Sequence, residues 1–427
     1  MDKFIIQGPT ALNGEISVSG SKNAALPLMA AAMLGNGTSV IRNLPRLKDI
    51  LTFNNVIRVT GTRVDHDVEN ATLHINPDNA TYFEAPYELV RKMRASFYML
   101  GALLGKFGYA RVSLPGGCAW GPRPVDLHIE ALKAIGAEIT MDKGYVIAKA
   151  PENGLPGGEY TFNPSSVGAT VNALLGSVLA NGTSVFHNVA REPDVIQLCN
   201  TLTSMGAKIK GVGTSTLTVH GVKYLEPMDA TNDPDRIEAG TYMLAAIMHP
   251  DSDVTLTNCN PDQLGHFLEM FDQTGAEVEV NRDAQTIRVK APQVIHPVSI
   301  TTDVYPGFPT DLQAQWATVM TQANGTSVIT DTVYTDRFSY VPELKRLGAD
   351  LHIQKNSVHV KGKTKLSGTS VMSTDLRASV SLIMAAMVAE ETSEVLRVYH
   401  LDRGYEQLEN KFNKVGGNIT RSDDQNG

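Results

Sequence analysis

A hydrophobic-periodic stretch that ends in glycine and then enters a β-like run recurs six times along the 427-residue chain. The central glycines lie at positions 61, 136, 206, 275, 348 and 416, so the intervals between them are 75, 70, 69, 73 and 68 residues. Glycine after an amphipathic helix adopts the left-handed conformation that ends the helix, and β-branched residues then begin a strand. The spacing therefore predicts six structural repeats of about 70 residues.

A second landmark, Asn-Gly-Thr-Ser-Val, occurs at 36–40, 181–185 and 324–328. It closes an earlier helix rich in Ala, Leu and Met and leads into a strand. Further short strands, such as Thr216–Val219 and Ser357–Val360, end the repeat. Each repeat is therefore predicted to have the element order βαβαββ.

Three of the first helices are apolar on nearly every side: Ala24–Leu34, Ala169–Ala180 and Ser379–Ala389. Such helices are buried inside a domain, and the repeat is longer than those of the common linear solenoids. We therefore expect an α/β protein with two globular domains of three repeats each, with parallel helices inside and sheets outside. The polar stretch Asp229–Pro234 marks the break, and we expect domain I to be 22–233 and domain II to be 1–21 plus 234–427.

Hydrophobic residues make up 42% of the chain and charged residues 19%, which is ordinary for a globular protein. The net charge of −8 argues against nonspecific binding to nucleic acid or to an anionic membrane. The longest apolar stretches fall short of the ~18 residues that a membrane span needs, and Met1–Ile5 lacks the features of a signal peptide. We therefore expect a cytoplasmic protein.

Three cysteines, Cys118, Cys199 and Cys259, are odd in number and far apart, which argues against a disulfide framework and against a zinc site. Cys118 lies within Ser113–His128, whose glycines and prolines predict an exposed loop. A cysteine there is reactive where a nearby Arg or Lys lowers its pKa; the alternative is an inert surface thiol. Cys199 and Cys259 are predicted to be structural.

The first helix of each repeat opens on polar or charged residues. These openings are Ser21-Lys22-Asn23, Arg91-Lys92-Met93-Arg94, Ser165-Ser166-Val167-Gly168, Asp235-Arg236, Thr310-Asp311 and Thr374-Asp375-Leu376-Arg377. Ser, Thr and Asp are standard caps, but Lys22, Arg94 and Arg377 oppose the positive end of the helix dipole. Either these cations are exposed, or a compensating anion lies beside them.

Nine motifs, in order along nearly the whole chain, carry a resemblance to a known family. They are Gly-Ser-Lys-Asn-Ala-Ala-Leu-Pro (20–27), Met-Arg-Ala-Ser (93–96), Leu-Pro-Gly-Gly-Cys (114–118), Gly-Pro-Arg-Pro-Val-Asp-Leu-His (121–128), Ser-Val-Gly-Ala-Thr (166–170), Arg-Glu-Pro (191–193), Phe-Pro-Thr-Asp-Leu-Gln-Ala-Gln (308–315), Thr-Asp-Leu-Arg-Ala-Ser (374–379) and Tyr-His-Leu-Asp-Arg-Gly-Tyr (399–405). With them the chain resembles the UDP-N-acetylglucosamine enolpyruvyl transferase family. The resemblance implies a two-domain inside-out α/β barrel, with three βαβαββ repeats per domain and the active site in the cleft between the domains.

The resemblance also implies the reaction, in which the enolpyruvyl group of phosphoenolpyruvate moves to the 3′-hydroxyl of UDP-N-acetylglucosamine and phosphate is released. This is the first committed step of peptidoglycan synthesis. By resemblance, Lys22, Arg123 and Arg403 hold the phosphate of phosphoenolpyruvate, and Arg337 and Arg377 receive its carboxylate. The other implied substrate ligands are Asn23, Arg94, Pro124, Val125, Asp126, Leu127, Ser166, Val167, Gly168, Asp311 and Val333, and Arg123 also touches the UDP-sugar. Guanidinium and ammonium groups bind such oxyanions without a metal, so no metal or other cofactor is expected.

The reaction of the family is an addition–elimination with oxocarbenium character. Asp311 is the candidate base for the sugar hydroxyl, and Cys118 is the candidate acid at C3 of phosphoenolpyruvate, its covalent partner, or both. Lys22, Asp375 and Arg403 complete the implied catalytic set. A phosphonate epoxide that mimics phosphoenolpyruvate is expected to alkylate Cys118.

Three positions depart from the family's common pattern. Pro164 stands where some relatives carry a lysine near the uridine. Thr335 and Asp336 precede Arg337 in place of a more usual charged residue, and Trp120 is bulkier than the usual occupant beside the loop cysteine.

Two other functions fit parts of the pattern. The shikimate-pathway enolpyruvyl transferases share the repeat fold and the donor, but their small acceptor gives no reason for the Leu-Pro-Gly-Gly-Cys loop. A catalytically silent relative that senses or holds a UDP-sugar would keep the binding residues without turnover. Phosphate release that depends on UDP-N-acetylglucosamine separates the enzyme from the sensor.

Overall fold

The structure, a computed structural model, describes residues 2–115 and 125–423. Cys118, Trp120, Arg123 and Pro124 lie outside these ranges. The α-helices of the described residues are α1 (Lys22–Ala31), α2 (Lys48–Val59), α3 (Tyr87–Val90), α4 (Met99–Phe107), α5 (Asp126–Ala134), α6 (Val167–Ser177), α7 (Pro193–Ser204), α8 (Arg236–Ala246), α9 (His266–Asp272), α10 (Gln313–Met320), α11 (Val341–Arg346), α12 (Leu376–Val388) and α13 (Leu408–Lys414). Short 3-10 turns span Ala32–Leu34, Arg94–Tyr98, Pro261–Gln263, Thr310–Leu312 and Val398–Arg403.

The strands are β1 (Asp2–Gly8), β2 (Asn13–Ser17), β3 (Ser39–Arg42), β4 (Arg63–Asp67), β5 (Thr72–Asn76), β6 (Glu84–Ala85), β7 (Tyr109–Ser113), β8 (Glu138–Asp142), β9 (Tyr145–Lys149), β10 (Glu159–Thr161), β11 (Thr183–His187), β12 (Lys208–Lys210), β13 (Thr216–His220), β14 (Asp229–Thr231), β15 (Asp253–Thr257), β16 (Glu277–Asn281), β17 (Thr286–Lys290), β18 (Ile300–Thr301), β19 (Thr326–Thr330), β20 (Asp350–Gln354), β21 (Ser357–Lys361), β22 (Ser370–Met372), β23 (Glu391–Leu396) and β24 (Ile419–Asp423).

The chain forms two compact units, and each has its own cluster of buried apolar side chains. We call Gly20–Asp233 the central unit and Met1–Ser19 with Pro234–Gly427 the terminal unit. None of the helices within 2–115 and 125–423 has the length and hydropathy for a membrane crossing.

Among the residues that the structure describes, each unit contains three four-stranded sheets with one common topology. The strand orders are β14-β3-β5-β4, β6-β7-β9-β8 and β10-β11-β13-β12 in the central unit, and β2-β15-β17-β16, β18-β19-β21-β20 and β22-β23-β1-β24 in the terminal unit. In the third sheet, for example, β10 runs parallel to β11, while β13 pairs antiparallel with both β11 and β12. The predicted βαβαββ repeat is confirmed.

Three strands reach their sheets from a distant part of the sequence. Strand β14 lies after the third repeat, yet it pairs in parallel with β3 of the first repeat. Strand β2 pairs with β15, and β1 lies between β23 and β24 in the last sheet. The two units divide between Asp233 and Pro234, within the polar stretch Asp229–Pro234, and its first three residues belong to the central unit. They form an edge strand, and an edge strand tolerates polar residues because one of its edges faces solvent.

The six repeated glycines behave as their spacing predicts. Their φ angles lie between +88° and +109°, the left-handed region that ends the second helix of each repeat. The first helices are internal as predicted: α1, α4 and α6 pack together in the central unit, and α10 packs against α8 and α12 in the terminal unit. All eight residues of α10 are buried. Several of the residues that the sequence analysis singled out therefore lie at the N-termini of buried helices.

Candidate active site

Two arginines and one carboxylate form the central feature of the terminal unit. Arg337 Nη1 donates a hydrogen bond to Asp311 Oδ1 at 2.7 Å, and Arg377 Nη2 donates to Asp311 Oδ2 at 3.2 Å. The arginine side chains are 10% and 6% exposed, whereas the side chain of Asp311 is 29% exposed. Two buried guanidinium groups therefore hold one partly open carboxylate, which leaves the trio with a net positive charge.

Arg377, the second residue of α12, is fixed by a neighbour on its other nitrogen. Its Nη1 donates to Tyr405 Oη at 3.0 Å, and its guanidinium carbon lies 5.6 Å from the centre of that ring. Burial by itself lowers the pKa of Arg377, but the charges of Asp311 and the Tyr405 contact more than offset this, so its pKa lies above the ordinary value. Arg377 stays a cation inside the fold.

Arg337 is supported by a buried carboxylate through a hydroxyl group. Its Nη1 donates to Thr310 Oγ1 at 3.2 Å, and the Thr310 hydroxyl donates to Asp331 Oδ2 at 2.7 Å. Asp331 Oδ1 also accepts the backbone N–H groups of Val333 at 2.9 Å and Tyr334 at 2.7 Å. One carboxylate therefore holds both the arginine and the segment that exposes Val333.

Asp375 has a clear local role as the N-cap of α12. Its Oδ1 accepts the backbone N–H groups of Arg377 at 2.9 Å and Ala378 at 3.1 Å. Its Oδ2 accepts the hydroxyl groups of Ser339 at 2.9 Å and Thr374 at 3.2 Å. The residue thus orients the helix that carries Arg377, whatever part it takes in proton transfer. Arg403 ends the 3-10 turn Val398–Arg403 and is half-buried.

In the central unit, Lys22 is the first residue of α1 and faces a carboxylate of the same unit. Its Nζ lies 3.3 Å from Oδ2 of Asp49, in the first turn of α2. Ser21 caps α1 by accepting the N–H of Ala24, and its hydroxyl donates to Asp194 at 3.3 Å. The anion that the position of Lys22 led us to expect is thus supplied at least in part by the protein, as it is for Arg377.

A buried histidine lies beneath the N-terminus of α6. His128, in the first turn of α5, has Nδ1 2.8 Å from Nδ2 of Asn172. The amide of Asn172 is oriented by its other contacts, since its oxygen accepts Gly101 N–H and its nitrogen donates to Phe97 C=O. His128 Nδ1 is therefore the acceptor, and the proton of the neutral ring is on Nε2.

The same histidine explains the glycine at the start of α6. A methyl group on Gly168 would lie 2.9 Å from Cε1 and 3.2 Å from Nε2 of His128, so only glycine lets the ring approach. Burial, and then the charge of Arg94, lower the pKa of His128 to about 3. A neutral N–H donor is thus fixed beside the Ser166–Gly168 turn. His128 was not singled out from the sequence, although it ends the motif Arg-Pro-Val-Asp-Leu-His.

The structure thus gathers the predicted residues into separate groups. Within the terminal unit it brings together Asp311, Arg337 and Arg377, with Val333 and Asp375 held by the same supports. Within the central unit it brings His128 of α5 beside Gly168 of α6 and within electrostatic range of Arg94. Cys118, Arg123 and Pro124 lie outside the described residues. In the ranges 2–115 and 125–423, no cluster of three or more His, Cys, Asp or Glu side chains could hold a metal ion.

The two other cysteines are structural, as predicted. Cys199 lies in α7 and Cys259 follows β15, and both are buried free thiols. Burial raises the pKa of each thiol to about 12, which leaves almost no thiolate at neutral pH.

Known proteins match the chain over nearly its full length. The family model described as EPSP synthase (3-phosphoshikimate 1-carboxyvinyltransferase) matches residues 6–412. The UDP-N-acetylglucosamine 1-carboxyvinyltransferase of Chloroherpeton thalassium is 52% identical and that of Chlorobium phaeovibrioides is 50% identical, each over 99% of this chain and 97% and 98% of its own length.

Solved structures agree in fold. The enolpyruvyl transferase NikO from Streptomyces tendae superposes with a TM-score of 0.89 at 25% identity over 99% of both chains. EPSP synthase from Acinetobacter baumannii superposes with a TM-score of 0.78 at 19% identity, over 99% of this chain and 100% of that one. The predicted fold and the predicted resemblance are confirmed, and the chain belongs to the carboxyvinyltransferase (enolpyruvyl transferase) family and, within it, to the UDP-N-acetylglucosamine 1-carboxyvinyltransferases.

Proposed function

We propose that this chain transfers the enolpyruvyl group of phosphoenolpyruvate to the 3′-hydroxyl of UDP-N-acetylglucosamine by addition–elimination, with release of phosphate. The observation that carries the proposal is the pair of buried guanidinium groups that contact the partly exposed carboxylate of Asp311. The chain is also 52% identical to the UDP-N-acetylglucosamine 1-carboxyvinyltransferase of Chloroherpeton thalassium. The reaction begins the committed part of peptidoglycan synthesis.

Arg337 and Arg377 are proposed to receive the carboxylate of phosphoenolpyruvate. Support comes from the contacts that they already make, because both bind a carboxylate group, that of Asp311. A planar guanidinium matches the two oxygens of a carboxylate better than an ammonium does. Lys22, Arg123 and Arg403 are proposed to hold the phosphate of phosphoenolpyruvate.

Asp311 is proposed to take the proton from the sugar hydroxyl. Its partial exposure allows a hydroxyl group to reach it, and its two arginine partners fix its orientation. A positioned base contributes about 10²–10⁴ in rate. Asp375, which caps α12, is proposed to act with Lys22 and Arg403 in the same proton transfers.

The UDP-sugar is proposed to bind along Asn23, Arg94, Arg123–Leu127, Ser166–Gly168 and Val333. The N-terminus of α6 offers backbone N–H groups and the positive end of a helix dipole, which suit a diphosphate. The segment at Val333 is fixed by Asp331 and presents a side chain that is 40% exposed. Apolar contact there suits the face of a sugar or a base.

Turnover with defined acceptors tests the proposal. Purified protein with phosphoenolpyruvate is expected to release phosphate when UDP-N-acetylglucosamine is added and not when shikimate 3-phosphate is added. Release with shikimate 3-phosphate alone would assign the chain to the other branch of the family. Binding of UDP-N-acetylglucosamine without phosphate release would identify a sensor and overturn the proposal.

Cys118 is proposed to protonate C3 of phosphoenolpyruvate, to hold the enol covalently, or to do both. A phosphonate epoxide that mimics phosphoenolpyruvate is expected to add one mass equivalent at Cys118 and to abolish turnover. Cys199 and Cys259 serve as internal controls because both are buried with raised pKa values, so labelling there would contradict the assignment. Cys118→Asp keeps an acid at the position, so retained turnover without labelling would identify proton donation as the essential task.

A further inference from the structure

The hydroxyl of Tyr405 is the meeting point of a buried polar network in the terminal unit. It lies 3.0 Å from Arg377 Nη1, 2.8 Å from Thr241 Oγ1 and 3.4 Å from Gln315 Nε2. Tyr405, Thr241 and Gln315 are all buried. The network joins the end of the Val398–Arg403 turn to helices α8, α10 and α12.

The direction of each hydrogen bond follows from the donors. A guanidinium N–H only donates, so Tyr405 Oη accepts from Arg377. The Thr241 hydroxyl donates to the carbonyl of Ile237 at 2.8 Å, so it accepts the proton of Tyr405. A one-way chain therefore runs from Arg377 through Tyr405 and Thr241 to the backbone of α8. Burial above all raises the pKa of Tyr405, which keeps the phenol protonated and the chain intact.

This chain fixes how the guanidinium of Arg377 is turned. With Nη1 held by Tyr405, Nη2 faces Asp311 Oδ2. Gln315 holds Asp311, the ion-pair partner of Arg377. Its Nε2 donates to the backbone carbonyl of Asp311 at 2.9 Å and to Thr241 Oγ1 at 3.2 Å. Arg377 and Asp311 are thus both connected to the hydroxyl groups of Tyr405 and Thr241, Arg377 through its contact with Tyr405 and Asp311 through Gln315.

We propose that Tyr405 is a positioning residue that orients the guanidinium of Arg377 for the carboxylate of phosphoenolpyruvate. The inference rests on the proposed function, and it adds a residue that acts on the donor substrate through Arg377 without touching it. Loss of the hydroxyl leaves Arg377 charged and buried, with its Nη2 contact to Asp311 but without the contact that fixes Nη1. Affinity for phosphoenolpyruvate should then fall, while the UDP-sugar, which does not use Arg377, should bind as before.

Tyr405→Phe tests this, since it removes the hydroxyl and keeps the ring. We expect kcat/KM for phosphoenolpyruvate to fall about tenfold or more, and KM for UDP-N-acetylglucosamine to stay within about twofold. Tyr340→Phe is the matched control: Tyr340 lies in the same unit and is 1% exposed against 2% for Tyr405, but its hydroxyl has no hydrogen-bond partner among the described residues. It should leave both constants unchanged.

A second pair of variants addresses the next link. Thr241→Val removes the acceptor of the Tyr405 proton and should lower kcat/KM for phosphoenolpyruvate, but less than Tyr405→Phe does. Thr241→Ser keeps the hydroxyl and should keep the wild-type kcat/KM. Suppose that the wild-type enzyme turns over, but Tyr405→Phe keeps the wild-type kcat/KM for phosphoenolpyruvate or raises the KM values of both substrates equally. The positioning role of Tyr405 is then wrong, and the proposed function stands. If wild-type enzyme shows no acceptor-dependent turnover, both proposals fail.

Discussion

The central and terminal units are built from the same βαβαββ repeat, but they hold the cations of the candidate site in different ways. In the central unit one lysine, Lys22, faces one carboxylate of the neighbouring helix at 3.3 Å. In the terminal unit two arginines share Asp311, and each has a second buried support. An ammonium on a flexible stem can follow a moving ligand, whereas a guanidinium held on two sides is fixed before the ligand arrives.

The contrast extends to the neutral donors. The central unit fixes the buried imidazole of His128 beside Gly168, with its proton on Nε2. The terminal unit fixes hydroxyl groups, those of Thr310 and Tyr405, beside its arginines. A common backbone therefore does not determine the chemistry of these sites; the side chains that it carries do.

The largest effect is expected for Asp311→Asn. The amide keeps the size of the side chain but cannot act as a base and no longer neutralises Arg337 and Arg377, so we expect kcat to fall by about 10²–10⁴. The measurement is steady-state phosphate release with both substrates saturating. Asp336→Asn, which alters an exposed carboxylate one residue before Arg337, is the control and should keep wild-type turnover.

The corresponding change in the central unit, Asp49→Asn, sharpens the comparison. It removes the negative charge of a largely buried partner of Lys22, and a hydrogen bond to a charged group is worth about 1.5 kcal/mol or more, so we expect a loss of about tenfold in kcat/KM for phosphoenolpyruvate. A loss as large as that of Asp311→Asn would contradict the distinction drawn between the two units.

The next effect concerns pH and His128. Its pKa is about 3 in the folded protein against 6.5 as the ordinary value, so between these values the unfolded chain binds the extra proton. The free energy of unfolding should therefore fall as pH decreases below about 6.5, by up to about 1.4 kcal/mol per pH unit, and be fully restored above it. His128→Asn keeps an acceptor for Asn172 and should lose this slope in urea unfolding of the central unit between pH 7 and 5.

His352, which is exposed on β20 of the terminal unit, provides the control for that measurement. His352→Asn should retain the wild-type pH slope. A His128→Asn protein whose stability still falls with the wild-type slope would show that the buried imidazole is not the titrating group.

The smallest effect tests whether the two units share their scaffold in energy as well as in shape. Gly206 and Gly348 occupy the same repeat position with φ of +107° and +100°. An added Cβ meets nothing within 4 Å at Gly206 and the carbonyl oxygen of Lys365 at 3.1 Å at Gly348. Alanine at either position should lower the free energy of unfolding by about 1–2 kcal/mol, mostly from backbone strain. If alanine lowered the free energy of unfolding at one of the two positions and not at the other, the two positions would not be equivalent.

Much of the fold could be predicted because its signals are local and repeated. A glycine that ends a helix is visible in a few residues, and six nearly equal intervals make chance agreement improbable. The internal helices were visible because α6 and α12 are apolar on nearly every side. The pairing partners of β1, β2 and β14 could not be predicted, because strands of three to seven residues show no partner in their own sequence.

The residues of the candidate site could likewise be predicted only in part. The cations at the helix starts stood out because they oppose the helix dipole, but the carboxylate that each of them faces could not be predicted. Asp311 and Arg377 are 66 positions apart, and such pairing is decided by the packing of helices rather than by any pattern along the chain. Tyr405 and His128 were hidden for the same reason, since an aromatic or imidazole side chain in a motif says nothing about what it will face.

The placement of β1 also sets an order on how the chain can fold. The central unit is one continuous segment, so all three of its sheets can close as soon as residue 233 is available. The last sheet of the terminal unit pairs Asp2–Gly8 with Glu391–Leu396 and with Ile419–Asp423, across nearly the whole sequence. Contacts between such distant segments form slowly because a long loop must be closed first. The first strand to be synthesised therefore waits for the last, and during that time the guanidinium pair on Asp311 belongs to a unit whose third sheet is still open.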